Sequence, residues 1–136
     1  MPWTDFFNNP QALSMYDVMP SLDDVELIDC KYKQGMTTLE INLSLSDLPT
    51  NRSRRWPAEM NRVALTLQFD VVSSTIQSHS GGEVLKVCCS FHANEPGFRF
   101  ECVGAKFNLV AECSFAWIKH LSGYVRVPFG QEQEYA

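Results

Sequence analysis

The residues with chemical potential in this chain are few and scattered. Three histidines, a Ser73–Ser74 pair and five cysteines (30, 88, 89, 102 and 113) are the main reactive groups. No G-x-S-x-G elbow, H-E-x-x-H pair, phosphate loop or dinucleotide glycine pattern surrounds them. A catalytic triad assembled from distant positions leaves no local signature, but nothing here suggests one. The expected class is therefore a non-enzyme.

Cys88, Ser90 and His92 would share one face of a strand, because side chains alternate. Four residues of extended chain separate Cys88 from His92 by about 13 Å, too far for one zinc ion. A solvent-facing His92 and a half-buried Cys88 are the better reading. Adjacent Cys88 and Cys89 would point to opposite faces, so a bond between them would break the strand. The cysteine count is odd, with no C-x-x-C spacing, and Cys30, Cys89, Cys102 and Cys113 lie in apolar runs. Reduced thiols acting as small hydrophobes are expected, and no metal or cofactor.

The conspicuous polar segment is Arg52-Ser53-Arg54-Arg55-Trp56-Pro57. Arginine beside tryptophan suits base stacking and equally suits a protein interface. The plain alternative is a solvated basic loop with Trp56 turned inward. The formal net charge of −5, from 16 acidic and 11 basic side chains, disfavours a nucleic-acid binder. Acid is concentrated early: Asp5, Asp17, Asp23, Asp24, Glu26, Asp29, Glu40 and Asp47 face only Lys31 and Lys33 before residue 51. Such asymmetry can steer a charged partner.

What must position these groups is a chain of 136 residues, expected to form a single domain over residues 1–136. An apolar fraction of 45% is ordinary for a globular protein, and folding should hide roughly two-thirds of the unfolded surface. No apolar run approaches the roughly 20 residues that span a bilayer, and Met1 to Phe7 lacks a basic export region. A cytoplasmic location is expected.

Residues 1–24 read as a helical or irregular opening segment. Asn9 can cap a short helix of about two turns with Pro10 in its first turn. Leu13 and Tyr16 would face inward, Pro20 would end it, and Trp3, Phe6 and Phe7 would pin it to a sheet. From residue 25 the apolar period becomes two. Val25 and Leu27, then Cys30 and Tyr32, mark a strand with an irregularity near Ile28–Asp29. A turn at Gln34–Gly35 leads to Leu39, Ile41, Leu43 and Leu45.

After a polar connection over residues 46–61, Val63, Leu65, Leu67, Phe69 and Val71 alternate. A Ser80–Gly81–Gly82 turn precedes Leu85, Val87, Cys89 and Phe91. Phe98, Phe100 and Cys102 form a short strand. Phe107, Leu109, Ala111, Cys113, Phe115 and Trp117 form a long one, and Val125 and Val127 a last short one. Residues 25–127 thus predict an antiparallel β core and 128–136 a polar tail. The fold class is mainly β, a sandwich or strongly curved sheet of about seven or eight strands. Phe98, Phe100, Phe107 and Phe115 at alternating positions read as core rather than as the lining of a ligand cavity.

Trp3-x-x-Phe6-Phe7-x-Asn9-Pro10, Pro20-Ser21-Leu22-x-Asp24-Val25-x-Leu27 and Leu39-x-Ile41-x-Leu43 stand in one order with Trp56-Pro57 and Asn61-Arg62-Val63-x-Leu65-x-Leu67-x-Phe69. This ordered set resembles the Immunity protein 50 family of bacterial polymorphic toxin systems, over roughly residues 1–127. The resemblance implies an all-β antidote that binds and blocks a cognate protein toxin in kin cells. It brings no catalytic residues. Trp3, Phe7, Trp56 and Asn61 match the pattern and read as structural. Cys88–Cys89 and the Arg52–Arg55 cluster have no place in it. Arg54, Arg55, Glu40, Asp70, Glu101 and Glu112 are the exposed candidates for contacting the toxin. A small-ligand-binding β protein and an unrecognised hydrolase are the alternatives.

Overall fold

The computed structural model describes residues 2–33, 35, 37–78 and 85–127. Within them run six strands: β1 (Val25–Lys33), β2 (Thr38–Leu45), β3 (Arg62–Ser78), β4 (Leu85–Asn94), β5 (Gly97–Gly104) and β6 (Phe107–Tyr124). All pairings are antiparallel, in the order β1-β2-β3-β6-β5-β4, and β4 returns to β1 to close a barrel. The mainly β reading holds, with the strand count corrected. The sheet is one closed wall, the strongly curved form rather than a sandwich, and among the described residues it has six strands. Residues 125–127 form no strand of their own. The Ser80–Gly81–Gly82 turn, Gln34 of the first turn and the 128–136 tail lie outside the described residues. Gly35 takes the left-handed φ of 69° that suits its residue type.

Alternation built this wall. Leu39, Ile41, Leu43 and Leu45 of β2 and Val63, Leu65, Leu67 and Phe69 of β3 are almost wholly buried. Phe69 and Phe100 stack at 4.4 Å between ring centroids, and Phe91 joins them at 5.0 Å from Phe100. The interior between these strands is thus occupied by side chains. The irregularity expected in β1 is a register shift between Leu27 and Asp29, which leaves Ile28 outside.

The opening segment straps the barrel rather than forming an α-helix. Two single turns of 3-10 helix, Trp3–Phe6 and Pro10–Leu13, replace the helix that Asn9–Pro10 suggested. Asn9 does not cap: its amide donates to the Ile118 carbonyl (2.8 Å) and accepts from the Ile118 N–H (2.8 Å), as a neighbouring strand would. The Asn8 N–H bonds Ala116 O at 2.9 Å, and the Cys89 N–H bonds Leu22 O at 2.9 Å. Tertiary bonds to two strand edges therefore outweigh local helix formation, as expected for so short a segment. Trp3, Phe6 and Phe7 do pin the strap, through ring contacts with Phe91 and Phe98 and a Trp3 Nε1–H bond to Pro20 O.

The closing seam between β1 and β4 carries a charge cluster outside. Glu26, 7% exposed, meets Arg126, Arg62 and Lys86. Its Oε1 lies 2.6 Å from Arg126 Nη2, a short ion pair. Contact with Arg126 lowers the Glu26 pKa against the opposing effect of burial, with Arg62 and Lys86 adding to it.

Candidate protein-binding surface

The long β3–β6 ladder slips its register near Thr66–Leu67 and again on both sides of Val71. These bulges decide what the outer wall presents, since a one-residue slip exchanges the faces of a strand. Along β6, Phe107, Leu109, Ala111 and Cys113 point inward. Ser114 is then skipped, Asp70 pairing with Phe115 and Val71 with Cys113. Beyond the skip Ala116 and Ile118 are the buried residues. Phe115 is 51% exposed, and Trp117 lies half-buried beside it, ring centroids 5.9 Å apart. The expectation that Phe115 belongs to the core is therefore corrected, whereas Phe98, Phe100 and Phe107 are buried as read. On β3 the matching skip leaves Val72 77% exposed.

A groove of about 470 Å³ lies beside these side chains. Val72, Phe115, the Glu95–Pro96–Gly97 turn, Phe98 and Cys113 line it. Gly97 makes this geometry possible, because a Cβ there would come within 2.0 Å of the Cys113 carbonyl oxygen. Glu112, at the groove, is held by Asn94 Nδ2 (2.6 Å) and Arg99 Nε (2.7 Å). Both contacts lower its pKa, Arg99 first. Glu101 of the next strand faces His92 at 3.1 Å, and half-buried Asp70 sits across from Phe115.

Three of the expected contact residues, Asp70, Glu101 and Glu112, thus share the outer wall of β3, β6 and β5. Arg54 and Arg55 are exposed in the 46–61 connection, where Trp56 and Met60 pack over Gly123. The reading of Trp56 as structural fits that packing. Asn61 likewise exchanges two hydrogen bonds with the Arg126 backbone (2.9 and 2.8 Å).

Glu40 departs from its expected exposure and is only 4% exposed. It sits on the outside of β2 but is roofed by Lys119 (2.7 Å), Lys33 (2.9 Å) and Lys31 (3.6 Å). Lys119 reaches it because β6 skips one residue between Ile118 and His120. Hydrogen bonds from Lys119 and then Lys33 hold the Glu40 carboxyl down to about 2. The carboxylate is committed to these lysines.

Three of the five thiols, Cys30, Cys89 and Cys113, are poor nucleophiles. Cys88 is exposed, not half-buried, and takes the Asp24 N–H at 3.4 Å, while Cys89 points inward within 3.8 Å of Cys102. Burial pushes Cys30 and Cys113 up to about 12. Bonding to Cys102, then burial, raises Cys89. Thiols so rarely ionised behave as packing groups. Among the described residues no three His, Cys, Asp or Glu side chains gather as a metal site needs, and no helix is long and apolar enough to cross a membrane.

The chain matches the model of the family described as Immunity protein 50 over residues 8–124. It belongs to that family. Comparison with curated proteins and with solved structures gave no match. The family match begins at the strap and ends with β6, so it spans all six strands of the barrel. The family is legible in the sequence, but the exposure of Phe115 and Val72 is not what strand alternation predicts. A signal was present in Phe115-Ala116-Trp117-Ile118 and in Val71-Val72, where consecutive apolar residues cannot all face inward on one strand.

Proposed function

We propose that this immunity-family protein neutralises a cognate bacterial toxin in the cytoplasm by stoichiometric, non-covalent binding. Family membership over residues 8–124 carries the reading. Occluding the toxin's working cleft is sufficient, so the antidote acts by binding and not by catalysis. A few anchors supply most of the energy in such an interface. Arg54, Arg55, Asp70, Glu101 and Glu112 are the polar contacts we assign to it. Glu40 contributes indirectly, by fixing Lys31, Lys33 and Lys119 on the neighbouring wall.

Co-expression with the toxin domain encoded beside the gene tests this. A one-to-one complex and restored growth are expected. No complex and no rescue would reject the proposal.

A further inference from the structure

Resting on the proposed toxin-binding role, we infer that the groove between the Glu95–Pro96 turn and the β3–β6 bulge receives an apolar side chain flanked by lysine or arginine on a protein partner. Three observations converge on it. First, the bulges turn Val72 and Phe115 outward at 77% and 51% exposure, leaving apolar surface that water does not favour. Second, a groove of about 470 Å³ beside them has the size of a small-ligand cleft and admits an aromatic or branched side chain. Third, its rim is negative. Glu95 and Glu112 line it, and Asp70 and Glu101 stand on the same wall, against Arg99 and His92. Arg99 is already engaged by Glu112 at 2.7 Å, and Asn94 fixes the second Glu112 oxygen.

A preorganised carboxylate beside an apolar slot suits a hydrophobic anchor with cations on either side. The same charge repels phosphate backbones, so a nucleic acid does not fit. Two copies of this rim would repel face to face.

The test uses the full chain, labelled with ¹⁵N, and three synthetic pentapeptides. The first has a central phenylalanine with two lysines on each side. The second replaces the lysines by glutamate, and the third replaces the phenylalanine by serine. We expect amide shifts centred on residues 95–98 and 112–115. Affinity for the first peptide should exceed that for either control about tenfold and fall as salt rises. Equal response to the glutamate peptide, shifts centred on Lys31 and Lys119, or no shifts would overturn the inference. So would self-association that Phe115→Asp abolishes, which would assign the groove to a second copy.

In parallel, the toxin domain from the neighbouring gene is titrated with wild type, Phe115→Asp and Glu95→Lys. Loss of about tenfold or more in both variants, with unchanged thermal midpoints, supports the inference; the exposed Glu95 keeps the test valid if Phe115→Asp misfolds. Equal binding by all three overturns the groove and leaves the immunity role standing. Peptide binding without any toxin binding would overturn the immunity role and leave the groove standing.

Discussion

Strand β6 bulges twice against β3, and the two places are used in opposite ways. Near Lys119 the irregularity is tied down by neighbouring groups. Asn9 takes up the Ile118 backbone groups, and Lys119 completes the roof over Glu40. Near Ser114 the irregularity is left open: Phe115 and Val72 come to the surface beside a groove. Both regions hold a carboxylate with a cation at 2.7 Å, yet Glu40 is 4% exposed while Glu112 stands in solvent reach. Similar pairs thus do different work. Covered charges tie strands together, while exposed ones are screened by water and stay available to a partner.

This contrast can be broken in order of effect. Gly97→Ala should be the most damaging change, costing about 3 kcal/mol, because the added carbon meets backbone that cannot step aside. Chemical denaturation measures it; a loss within error would show that β5 and β6 are not held as close as described. Glu40→Ala should cost about 1–2 kcal/mol, since three ammonium groups would then face one another, partly relieved by solvent. Glu112→Ala should leave the denaturation midpoint unmoved. If the two variants lost stability equally, the distinction between the two regions would fail.

The pH dependence sharpens the same point. Glu40 titrates at about 2 in the fold against 4.5 in its ordinary state. Its contribution is therefore complete above about pH 5 and lost progressively as pH falls toward 2. Melting across that range should show a gap between wild type and Glu40→Gln that closes at the acid end. A gap constant with pH would mean that the lysines do not hold the charge. Phe115→Ser should likewise leave the thermal midpoint nearly unchanged, because the ring is exposed. A large drop would place Phe115 in the core after all.

Much of this was legible in the residues. Period two from Val25 gave every strand its place, and the irregularity at Ile28–Asp29 was readable because both sides of it are apolar in the wrong phase. The aromatic opening segment was also correctly joined to the sheet. The sequence count exceeds the six strands observed because Val125 and Val127 read as a final short strand, whereas β3 runs on through Ser73-Ser74-Thr75, whose polar side chains hide its length. Those residues extend the strand because β6 lies alongside to pair with them.

By itself, then, the sequence determined the β class, the inward-facing series of β2, of the first half of β3 and of β6 as far as Cys113, and the family, since alternation and ordered motifs are local properties written along the chain. Barrel closure, the burial of Glu40 and the outward turn of Phe115 were decided only in three dimensions. Each depends on which residue of one strand stands opposite which residue of another, and a bulge changes that correspondence without changing the composition of either strand.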